Sequence, residues 1–232
     1  MNDNKKRTMY QPASILRTAA LLLTCTALAA CGPKTSDRGF TDEEQALIRP
    51  DGGPMRLLSV NDRNDSLLLR TQSKPLDDGM LHTEEFERLV AGMLATVRDP
   101  ANEGVGIAAP QVGILRRVCV VLDEDDQLIE LVNPEIIRTE GEQTGLEGCL
   151  SVPGKYGVVT RPEVVRVRAQ DRDGEWFEVE DEGLTARCFC HEIEHLDGHL
   201  FVEHTDRLME GEELQKWLEE HSDEYEIEGD EE

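Results

Sequence analysis

Apolar residues recur at helical spacing most clearly over residues 83–98, where Phe86, Leu89, Val90, Met93, Leu94 and Val97 fall on one face. Thr83 is placed to cap that helix, Glu84 and Glu85 complement its N-terminal dipole, and Asp99-Pro100 stops it. The stripe is a core face. After it the period changes. Residues 104–113 (GVGIAAPQVG) form a glycine-punctuated loop, and strand-like runs follow at 117–122, 128–132, 164–169 and 176–179. Asp125-Asp126 and Asp173-Gly174, between successive runs, predict hairpin turns. A second helix is expected over 184–196. A third, over 206–220, would turn Leu208, Leu214, Trp217 and Leu218 toward the body. Strands grouped before and between helices, without strand–helix–strand alternation, predict an α+β fold.

The ends read differently from this middle. Lys5, Lys6, Arg7 and Arg17 precede an uncharged, mostly apolar run of thirteen residues, 18–30 (TAALLLTCTALAA). That is short for a membrane span and suits the core of a signal peptide. Leu28-Ala29-Ala30-Cys31 resembles a bacterial lipobox, which implies lipidation of Cys31 and a membrane-anchored protein facing the periplasm or exterior. A spurious signal on a cytoplasmic protein is the alternative. Residues 31–54, rich in Gly, Pro and charge, read as a flexible tether. A folded domain is expected over 55–221, followed by an acidic tail at 222–232. The 232 residues therefore hold one domain with appendages.

Charge narrows the partners. With 24 basic and 49 acidic residues the net charge is -25, and removal of 1–30 would leave -28. Direct binding to nucleic acid needs the opposite sign and is not expected. The six cysteines include Cys25 and Cys31 in the signal region and Cys149 in a motif. The remaining three show no disulfide framework and read as small buried hydrophobes.

Chemistry concentrates in His191-Glu192-Ile193-Glu194-His195, an H-E-x-x-H sequence. Four residues apart on a helix, two imidazoles can reach one metal ion, and the glutamate beside the first can take a proton from water. The third ligand decides the class. A metzincin would need histidine where Phe201 stands; His199, Glu203 and His204 sit at no recognised zincin spacing. The upstream run Glu147-Gly-Cys-Leu-Ser-Val-Pro153 offers Cys149, whose thiolate is a strong soft ligand for zinc or ferrous iron.

GVGIAAPQVG, EGCLSVP and HEIEHLDG in this order resemble the three signature motifs of the peptide deformylase family. The likeness spans about two-thirds of the chain. It implies antiparallel or mixed sheets packed around a central H-E-x-x-H helix. It implies one divalent ion on Cys149, His191 and His195, Fe(II) in the family, with Zn(II) also plausible. It implies Glu192 as acid/base, with Gln111 and the backbone N–H of Leu150 as oxyanion donors. Gly106 would bring backbone close to the substrate, and Val105, Leu184 and Cys188 would wall a pocket for methionine. Glu147 and Arg161 would form a buried pair. The implied substrates are N-formylmethionyl peptides or nascent chains. The alternatives are an exported hydrolase of other formyl peptides, a metallopeptidase or an inactive binding homologue. Cys190, Glu194 and Tyr156 depart from the commoner pattern.

Overall fold

The structure, a computed structural model, describes residues 39–102 and 104–221. The expected signal segment, Cys31 and the acidic tail lie outside them. Helices α1 (Asp42–Leu47), α2 (Arg63–Leu69), α3 (Asp78–Leu81) and α4 (Glu84–Val97) come first. Strands β1 (Gly106–Ala108), β2 (Val118–Leu122), β3 (Leu128–Glu140), β4 (Gln143–Gly148), β5 (Tyr156–Arg161), β6 (Val164–Gln170) and β7 (Trp176–Glu182) follow. Helix α5 (Gly183–Leu196), β8 (Leu208–Met209) and α6 (Gly211–Glu220) complete the order. One sheet runs β1-β2-β3-β6-β7 and a smaller one β4-β5-β8. Every ladder between these strands is antiparallel. The fold is α+β.

The two long helices form where periodicity places them. Thr83 Oγ1 accepts the Phe86 N–H at 3.2 Å at the start of α4, and Phe86, Leu89, Val90, Met93 and Val97 are buried against β1 and β2. α5 packs on the other side of the larger sheet. Ala186, Phe189, Ile193 and Leu196 share a cluster with Ala108, Cys119, Leu131, Val165 and Val167. The hairpin turns form as expected, with Asp126 at φ 57° and Gly174 at φ 82°.

Three expectations need correction. The flexible tether ends earlier than residue 54. Thr41 and Glu44 form a capping box that starts α1, Phe40 and Ile48 bury into the core beside Val112 and Ile114, and Glu44 pairs with Arg116 at 2.7 Å. The strand at 128–132 runs on through Pro134 to Glu140, its register against β6 shifted by irregularities on either side of Glu135. The third helix begins at Gly211, because Leu208-Met209 pairs with Tyr156-Gly157 as a short strand. Leu208 is thereby exposed, while Leu214, Trp217 and Leu218 are half-buried as expected. Among the described residues no helix is long and apolar enough to cross a membrane.

Candidate metal centre

The end of a strand in the smaller sheet and a helix packed on the larger sheet meet at the site. Cys149 follows β4 of the smaller sheet, whereas His191 and His195 are one turn apart on α5, which lies against the larger one. Ligand atoms from all three lie within 4.8 Å of one another. His195 Nε2 is 3.2 Å from Cys149 Sγ. His191 turns Nδ1 to Glu147 Oε2 at 3.2 Å, which leaves Nε2 for an ion. A thiolate and two imidazoles form a donor set suited to zinc or ferrous iron, so the residues present fit the metal that the motifs imply. His199, Glu203 and His204 take no part. His199 and Arg70 pair with Glu203, and His204 lies 3.1 Å from Glu194.

Glu147 is the hub behind this centre. Arg161 Nε donates to its Oε1 at 2.9 Å and Nη2 to its Oε2 at 3.1 Å, so the expected buried pair is present. Arg187 Nη1 adds a third donor at 2.9 Å. Burial alone would raise the Glu147 carboxyl, but its hydrogen bonds to His191 and Arg161 outweigh that and hold it down at about 2. Arg161 also reaches Glu194 Oε1 at 2.6 Å, giving Glu194 a supporting contact behind the ligands.

Glu192 is 4% exposed and lines the floor of a cleft of about 480 Å³. Burial pushes its carboxyl up to about 7; His191 opposes the shift and Glu147 adds to it. Gln111 sits on a short 3-10 turn, Ala109–Val112, started by Pro110 and closed by Gly113 at φ 86°. Its Oε1 accepts the Ala108 N–H at 2.8 Å, which aims Nε2 toward Cys149 Sγ (3.6 Å) and Ser151 Oγ (3.4 Å). Its loop-tying and site-facing roles coexist in one amide. Leu150 is half-buried at the cleft wall, outside the hydrophobic clusters of the core. Val105 and Leu184, 44% and 52% exposed, form the rim, and buried Cys188 lies deeper. At Gly106 a Cβ would lie 2.8 Å from Glu192 Oε1, so the missing side chain makes room for the glutamate.

Arg187 escaped the sequence reading, although it stands four residues before His191 on the same helical face. Ser151, buried beside Gln111 and inside the EGCLSVP motif, was given no role, and Lys155, at the cleft, had no local signal to mark it.

Residues 55–210 match the family model described as polypeptide deformylase. The peptide deformylase of Lachnoclostridium phytofermentans is 56% identical over 142 residues, covering 60% of this chain and 83% of that one. That of Caldicellulosiruptor bescii is 45% identical over 164 residues, covering 70% and 93%. Among solved structures, the Legionella pneumophila peptide deformylase is similar at TM-score 0.59 and 39% identity, covering 66% of this chain and 87% of that one. The Acinetobacter baumannii enzyme with Met-Ala-Ser bound is similar at 0.60 and 33%, covering 66% and 99%. The chain belongs to the polypeptide deformylase family, and its activity is hydrolysis of the N-formyl group from N-terminal formylmethionine of peptides.

Proposed function

We propose that Cys149, His191 and His195 hold one divalent ion and that Glu192, Gln111 and the Leu150 N–H carry out the deformylation. The observation that carries this reading is the convergence of three donor atoms within 4.8 Å beside a buried glutamate at the floor of an open cleft. When bound, the ion supplies positive charge that acidifies water and polarises the formyl oxygen; Zn(II) and Fe(II) both suit these ligands. Glu192 accepts the proton of the attacking water and returns it to the departing amine. Gln111 Nε2 and the Leu150 N–H donate to the formyl oxygen as negative charge develops on it. Among the described residues the Leu150 N–H donates to no protein acceptor, which supports that use. The methionine side chain enters between Val105, Leu184 and Cys188, an apolar wall that accepts an unbranched thioether.

Formate release from N-formyl-Met-Ala-Ser, lost with a chelator and restored by added Fe(II) or Zn(II), tests the reading. Internal cleavage of unformylated peptides would replace it with a peptidase. Metal-loaded protein that releases nothing would leave only a binding role. Comparing the two ions, under anaerobic and aerobic handling, identifies the metal that this thiolate site uses. An oxidising location favours zinc, which has no redox chemistry to lose.

The chain is also exported and anchored through lipid on Cys31. The support is the order of basic residues, apolar run and Leu28-Ala29-Ala30-Cys31 in the sequence. In that location the substrates are formyl peptides that have already left the cytoplasm.

A further inference from the structure

The geometry points to Arg187 as a positioning residue that sets the separation between the thiolate and the two imidazoles, and thereby the affinity of the centre for its metal. This rests on the metal reading above.

The problem Arg187 solves is one of assembly. His191 and His195 ride on α5, which packs on β1, β2, β3, β6 and β7 of the larger sheet. Cys149 follows β4 of the smaller sheet. A ligand set split across two sheets needs a link that fixes one carrier against the other, and apolar packing of α5 against the larger sheet cannot provide it.

Arg187 has the placement and the donors for that link. It lies one turn before His191, so residues 187, 191 and 195 share a face of α5. The side chain is 8% exposed. Its Nη1 reaches Glu147 Oε1 at 2.9 Å, the Val159 carbonyl at 3.1 Å and the Gly145 carbonyl at 3.4 Å. Its Nη2 reaches the Gln143 carbonyl and Oε1, both at 3.4 Å. One planar fork on α5 thus grips both β4 and β5. Glu147, the residue it holds most closely, lies two positions before Cys149 and orients His191 through Oε2. Arg161 closes the same seam from β5.

Arg187 is kept from acting as an independent cation by these partners. Arg161 and Arg187 face Glu147 and Glu194, so the paired charges balance, and the wall of the cleft gains geometry without an excess of charge. The ordinary alternative is that Arg187 merely stabilises the fold. Residues that orient metal ligands from behind typically change metal affinity by about 10–100-fold when removed, a signature that a purely structural role lacks.

The test uses the full chain with Zn(II) and Co(II). Affinity is measured by chelator competition and geometry by the visible absorption of the cobalt form. Arg187→Met is expected to weaken both metals by about 10–100-fold and to alter the cobalt spectrum. Arg187→Lys, which keeps the charge but loses the fork, is expected to fall between it and wild type. It carries the test by itself if the Met variant does not fold. Arg116→Met, which breaks the remote buried pair with Glu44, is the control for stability. It is expected to lower Tm while leaving metal affinity within about twofold, since Glu44 and Gly39, which its side chain holds, lie on neither ligand carrier. Folded Arg187 variants with wild-type affinity and an unchanged cobalt spectrum would overturn the inference alone. Wild-type protein that fails to retain either metal would overturn the metal reading and this inference with it.

Discussion

At the scale of single residues, Glu192 and Gly106 share a space that one methyl group would close. A Cβ at 106 would meet Glu192 Oε1 at 2.8 Å and Cγ at 3.0 Å. The crowded atoms are the end of a side chain, so the glutamate would swing aside and the fold would survive. A proton acceptor displaced by about 1 Å can cost on the order of 100-fold in rate. Gly106→Ala should therefore lower kcat by about 10–100-fold with little change in Tm; steady-state formate release beside a thermal melt would check it. Glu192→Ala removes the carboxylate altogether. It should keep the metal, because Glu192 supplies none of the three donor atoms, and lose about 100- to 10,000-fold in kcat. A variant with near-normal turnover would refute the acid/base role.

At the scale of elements, what the sequence displays depends on what each element buries. α4 and α5 are legible because their inward faces are apolar stripes at helical spacing. H-E-x-x-H and its cysteine partner are legible because ligand chemistry is confined to few residue types. β4 and β5 were not, because their buried positions are Gly145 and Glu147 on one and Gly157, Val159 and Arg161 on the other. An inward face made of glycine and an ion pair shows no alternation of apolar and polar residues. The same polar face hid Arg187, whose role exists only once β4 and β5 stand beside α5. The segment before Met55 was misread for another reason. Glycine, proline and charge suggested a tether, and the Thr41–Glu44 capping box that starts α1 was the overlooked signal. Ile48, 5% exposed, anchors that segment. Ile48→Ala should cost about 2–4 kcal/mol by denaturant titration, with kcat per folded molecule unchanged. A loss of activity without a loss of stability would mean that the segment works on the site itself.

At the scale of the whole molecule, the docked segment shortens the distance between the proposed anchor and the active domain. If Cys31 becomes the N-terminus, only Gly32 to Gly39 separate the lipid from the point where Phe40 enters the core. Eight residues span at most about 26–29 Å when fully extended. The domain would then work within about its own diameter of the bilayer. Its acidity would be repelled by anionic lipid, so the acyl chain must supply the attachment. One chain gives marginal binding, whereas two or more hold firmly, which makes the number of chains on Cys31 decisive. Expressed in a bacterium, the full chain should incorporate labelled palmitate and sediment with membranes. Cys31→Ser should lose both the label and the sedimentation, and its purified product should release formate at the wild-type rate, since Cys149, His191 and His195 supply the three donor atoms. An unlabelled, soluble wild-type chain would remove the anchor and return the enzyme to the compartment where formylated chains are made.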